Sequence, residues 1–187
     1  MALEALAGQL TLWEARLKRI LALGGIAAGL GLVGYALFSG ETDEEQIRRR
    51  LDELAVAVEV AGEPQNVAVR GLQLKGKFQE LFEQNVTATI PELGSSRSGR
   101  QDLAALAARS TVYFESLDVD FEDVSVSIDG TQANARVETT AVLTAARRGQ
   151  GDLQRDQRRV RLRFFKDQEH GWRIASVKVG APEDASR

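Results

Sequence analysis

The hydrophobic pattern of this 187-residue chain changes character three times. Leu3, Leu6, Leu10, Trp13, Leu17 and Ile20 recur at alternating spacings of three and four, which predicts an amphipathic helix over 1–19. Residues 20–38 then run without a charge or a proline. At about 1.5 Å per residue a helix of that length reaches about 28 Å, against roughly 30 Å of bilayer hydrocarbon, so the run reads as one transmembrane helix. Arg16, Lys18 and Arg19 precede it and Glu41, Asp43, Glu44 and Glu45 follow it. The positive-inside tendency therefore leaves 1–19 in the cytoplasm and exports everything after 38. The heptad stripe continues into the apolar run as Gly24, Ala27, Gly31 and Gly34, and Gly25 with Gly29 forms G-x-x-x-G. These six small positions are expected to let two membrane helices pack closely.

Three other readings of the same segment compete, and two of them fare worse. A cleaved signal peptide has only Gly34-Tyr35-Ala36 as a small-x-small site, and its leading region, with Glu4 and Glu14, is too long and too acidic. An amphipathic stub on the inner leaflet, followed by ordinary glycine-rich membrane sequence, accounts for the same stripe without self-association and stays open beside it. Gly29 to Gly34 spells G-x-G-x-x-G, yet it lies inside one apolar run with no strand before it and no βαβ unit around it, so it is no dinucleotide fingerprint.

Beyond a short linker, 39–42, the period becomes helical. Thr42 or Asp43 can cap a helix whose apolar face is Ile47, Leu51, Leu54 and Val58; Gly62 to Pro64 breaks it. A second helix is predicted over 69–85 with Leu72, Phe78, Leu81 and Phe82 inward. A short strand at 86–90 stops at Pro91, residues 94–99 read as a loop, and a third helix runs over 100–114 with Leu103, Leu106, Ala107 and Val112. The period then drops to two. Leu117, Val119 and Phe121 alternate at odd positions and Val124, Val126 and Ile128 at even ones, so a β-bulge is expected at Glu122-Asp123. Asp129-Gly130 marks a hairpin turn. Ala133, Ala135, Val137, Thr139, Ala141 and Leu143 form the inward face of the next strand, Val160, Leu162 and Phe164 that of the fourth. A last strand covers 172–179, and 181–187 is a polar, disordered tail.

Composition narrows the chemistry. No cysteine is present, which excludes disulfides, thiolate catalysis and Cys-ligated zinc, and a single His leaves little for metals. Residues 41–187 carry 21 Lys plus Arg against 25 Asp plus Glu, a balance that gives no reason to expect nucleic acid. Arg outnumbers Lys 19 to 5, which suggests a GC-rich bacterial genome.

The order ααβαββββ, a Ser-Gly-Arg sequence at 98–100 entering the third helix, Asp129-Gly130 before an Ala-rich strand, and Gly171-Trp172-Arg173-Ile174-Ala175-Ser176-Val177 near the end resemble the nuclear transport factor 2-like superfamily. The similarity covers about 43–179 and leans toward the SnoaL-like and steroid isomerase-like branch. It implies an α+β cone, in which a strongly curved, mostly antiparallel sheet wraps around helices and often encloses a pocket. The fold hosts isomerases, cyclases, dehydratases and inactive assembly domains alike.

Enzymes of this kind place a general base and an oxyanion donor inside the cone. The inward positions of the third and fourth strands offer neither a carboxylate nor an imidazole, and the first helix has no Tyr. Tyr113 and Thr139 are the polar side chains left as pocket candidates, while His170 beside Gly171 reads as a solvated turn residue. On the outward face, Arg159, Arg161, Arg163 and Phe165 form a stripe suited to an acidic partner, unless Glu138 and its neighbours neutralise it. The sequence thus favours a single-pass inner-membrane protein with an extracytoplasmic domain over 43–180. That domain is expected to be a non-enzymatic binding or assembly module without cofactor or metal. Its partners are expected to be the membrane, a second copy or another membrane protein. The alternative is a pocket for a small apolar ligand, with or without turnover.

Overall fold

A computed structural model describes residues 40–61, 66–91, 94 and 96–181. The predicted helix over 1–19, the apolar run 20–38 with its six small residues, and most of the tail lie outside the described residues. Among the described residues no helix is long and apolar enough to cross a membrane. The chain divides at Thr42/Asp43 into two units, and the fold set out below is that of the second.

Helix α1 (Asp43–Val58) buries Ile47, Leu51 and Leu54 as expected, with Ala57 in place of Val58, which is only partly buried against the core. Asp43, Glu44 and Glu45 occupy its first turn, where negative charge meets the positive end of the helix dipole. Helix α2 (Val67–Leu81) starts under the Asn66 side chain, which accepts the Ala68 N–H at 2.9 Å. Arg70 of α2 donates to the carbonyls of Ala57 and Glu59 at 2.8 and 2.6 Å, satisfying orphan acceptors at the end of α1.

α2 ends earlier than its periodicity predicts. Phe82 caps it and already belongs to strand β1 (Phe82–Thr89), because Phe82 pairs with Ile174, and Thr87 to Thr89 with Ser176 to Lys178, in a sheet that sequence alone does not display. Leu72, expected inward, is 73% exposed, since only Leu74, Phe78 and Leu81 face the sheet. The expected loop at 94–99 contains a three-residue edge strand, β2 (Ser96–Ser98), paired with Thr87–Thr89. Helix α3 (Arg100–Tyr113) buries Leu103, Ala104, Ala108 and Thr111, but Val112 points out.

Strands β3 (Phe114–Ile128), β4 (Asn134–Arg147), β5 (Leu153–Asp167) and β6 (Gly171–Val179) form the expected antiparallel meander. β1 joins β6 in parallel, giving the sheet order β2-β1-β6-β5-β4-β3. Two bulges bend it. The β3 register shifts between Glu122 and Ser125, with Asp123 at φ 52°, as the parity slip predicts. On β6 the register shifts past Ala175, so Trp172 and Ile174 face inward before it and Val177 and Val179 after it. Trp172 and Phe164 are each 1% exposed and anchor the core, where burial of such a side chain contributes about 1.5–3 kcal/mol.

Candidate functional site

One end of the cone is left unfilled by side chains. A cavity of about 390 Å³ opens there, lined by Leu54 and Val58 of α1, Val119 and Phe121 of β3, and Ala141 and Leu143 of β4. Ile90, Val160, Val177 and Val179 complete its apolar wall, and Asp156 and Arg158 of β5 supply its charged groups. The size lies within the usual range for small-molecule sites.

Asp156 and Arg158 were not among the expected inward residues. By side-chain type the inward face of this strand starts at Val160, where the alternating apolar residues begin. The strand in fact begins at Leu153, and the same alternation carried back from Val160 turns positions 158 and 156 toward the interior. The signal was the parity itself, masked by the polarity of the side chains. Both Nε and Nη2 of Arg158 donate to Asp156 Oδ2 at 2.7 Å. The Arg158 side chain is 14% exposed and that of Asp156 40%, so the arginine is the more enclosed of the two. Holding Arg158 on Asp156 lets a charge line an apolar cavity without standing unpaired.

The expected pocket residues do other work. Tyr113 is 67% exposed at the end of α3, where Thr111 is the residue of the last turn that faces inward. Thr139 is buried, but its hydroxyl donates to the Glu122 carbonyl at 2.6 Å and so serves the β3 bulge. His170 is exposed in the β5–β6 turn, where its backbone N–H and that of Glu169 are taken up by Asp167. Among the described residues, no group of three His, Asp or Glu stands together as a metal site.

Arg159, Arg161, Arg163 and Phe165 are all exposed on β5. Arg161 lies 3.4 Å from Glu138 across the β4–β5 ladder, and Arg155 lies 3.6 Å from Glu122. A further depression of about 390 Å³ between α1 and α2 has Ala57 and Leu74 beneath a charged rim of Arg49, Asp52, Arg70 and Lys77, and it opens away from the cone.

No protein-family model and no curated protein sequence matches the chain, so its relatives are visible through structure alone. It is similar to a nuclear transport factor 2-like superfamily protein of Salmonella enterica, 16% identical with a TM-score of 0.60 over 77% of this chain and 94% of that one. A candidate dehydratase of the same fold from Streptomyces avermitilis is 19% identical with a TM-score of 0.61, over 79% of this chain and 100% of the other. The CaMKII hub of S. rosetta is 15% identical with a TM-score of 0.52, over 73% and 94%. With helices against one face of a bulged six-stranded sheet and a cavity at the open end, the chain adopts the nuclear transport factor 2-like fold.

Proposed function

We propose that the cone cavity binds a small, largely apolar ligand whose single polar end meets the Arg158–Asp156 pair. The carrying observation is the composition of the wall: ten apolar residues around about 390 Å³, with charge at one strand only. Arg158 can donate to a carbonyl or carboxylate, and Asp156 can accept from a hydroxyl. Turnover of the dehydratase kind ranks second to binding. Elimination needs a base and an independent acid, and the described lining holds one mutually bonded pair.

One further element belongs to the same reading. The apolar run 20–38 tethers the domain to the bacterial inner membrane on its outer side, where apolar ligands concentrate. Self-association through the outer face of the sheet is a second reading, favoured by the exposed Arg159–Phe165 stripe. The hub protein that shares the fold is consistent with it.

The test is displacement of a neutral apolar dye, N-phenyl-1-naphthylamine, from the purified protein. Saturable fluorescence that Leu143→Trp abolishes, with an unchanged thermal melt, is the expected result. Absence of saturable binding to the unaltered protein removes the proposal.

A further inference from the structure

On the convex face of the sheet, away from the cavity, Arg136 and Arg163 stand directly opposite each other in the β4–β5 register. Like charges in such a cross-strand pair are about 5 Å apart at Cβ and repel. Both are exposed, and neither has an ion-pair partner among the described residues. The same row is flanked by Ser127, opposite Arg136, and by Ser176, opposite Arg163. Two guanidiniums between two hydroxyls thus line up across four strands.

The carboxylates nearby are committed elsewhere. Asp129 lines the same depression of about 550 Å³ as Arg136 and Arg163. Its Oδ1 accepts from the N–H and hydroxyl of Thr131, at 3.1 and 2.7 Å, and its Oδ2 from Asn134 Nδ2 at 2.9 Å. Glu138, on the adjoining row, faces Arg161, whose other neighbour is Lys178. Two positive charges therefore stand together on the Arg136–Arg163 row with no carboxylate ion-paired to either, while Asp129, still ionised, lines the same depression.

We infer that Arg136 and Arg163, with Ser127 and Ser176, form a binding site for a phosphate-type oxyanion. Two planar guanidiniums match the several acceptor oxygens of such a group, and the serine hydroxyls supply further donors at its sides. Occupation relieves the repulsion between the arginines, which gives the anion a preference for this row over the remaining basic surface. The inference stands on the outer face and is independent of the ligand proposed for the cavity.

The phosphate group has two sources, a free phosphate and a lipid headgroup, and the experiment separates them. Inorganic phosphate is titrated at constant ionic strength, with chloride as control, while the arginine Nε–Hε resonances are followed by NMR. In parallel, co-sedimentation is measured with vesicles of phosphatidylglycerol and of phosphatidylcholine. The expected result is saturable shifts of two arginine resonances, lost at least tenfold in affinity in both Arg136→Gln and Arg163→Gln. Binding of phosphate alone identifies a free phosphate, and binding confined to phosphatidylglycerol vesicles identifies a headgroup. Without anion, each variant should melt at the same temperature as the unaltered protein or higher, because a like charge has been removed. Absence of both responses, or undiminished binding by both variants, overturns the inference.

Discussion

The Asp43 carboxylate accepts the indole N–H of Trp172 at 3.0 Å, fastening the first turn of α1 to the opening of β6, 129 residues later in the chain. The same oxygen takes Lys166 Nζ at 2.6 Å, and Lys166 lies 5.7 Å from the centre of the Trp172 ring. One carboxylate therefore satisfies the only hydrogen-bonding group of a side chain that is 1% exposed. Asp43→Ala should cost about 1–3 kcal/mol, because the buried N–H loses its acceptor. A urea midpoint unchanged from that of the unaltered protein contradicts this.

The hydrogen bond from Lys166 holds the Asp43 carboxyl below its ordinary value of 3.8, with the indole bond and the lysine charge adding to it against the opposing effect of burial. A depressed folded-state pKa contributes stability that is fully present above the unfolded value and is lost as pH falls through the folded one. Melting temperatures measured downward from pH 5 should therefore fall less steeply below about pH 4 in Asp43→Asn than in the unaltered protein. Parallel curves would assign the acid sensitivity to other carboxylates.

Thr139→Val removes the hydroxyl bonded to the Glu122 carbonyl while keeping the side-chain shape. The expected loss is about 1 kcal/mol of stability, from an unsatisfied carbonyl at the bulge. Dye affinity at the cavity should stay the same, measured by the displacement assay beside a denaturation curve. A change in affinity with no change in stability would return Thr139 to the role of a ligand contact.

Arg158→Met retains much of the side-chain volume and removes the donors. A ligand or competitor with a carboxylate end should bind about tenfold more weakly, equivalent to about 1.4 kcal/mol, whereas a neutral hydrocarbon competitor should not. Tyr113→Ala, an exposed change, should leave both affinities unaltered. Equal losses for the two competitors would mean that Arg158 acts only by holding the wall in place.

Most of the fold was legible because periodicity reports which side faces a core. Most of the α1 face, the odd-to-even slip of β3 and the alternation of β4 as far as Ala141 survive in the structure, since a one-residue error would turn a whole apolar set into water. Misreadings cluster where a residue has apolar character but no local clue to its neighbour. Phe82 suits the end of a helix as well as the start of a strand, and its parallel partner Ile174 lies 92 positions away. Leu72 and Val112 fit a helical stripe by type, yet the neighbouring elements do not reach them.

The candidate site divides in the same way. Sequence alone determined that the strands have an apolar interior, that the outer face carries an arginine stripe, and that cysteine chemistry is absent. Tertiary structure decided that the interior is left open at one end, that Asp156 and Arg158 line that opening, and that Arg136 meets Arg163 across the outer ladder. The physical reason is that alternation records only which face a side chain takes. Cavity volume and cross-strand pairing depend on register and bulges, which are set by backbone hydrogen bonds between residues far apart in the chain.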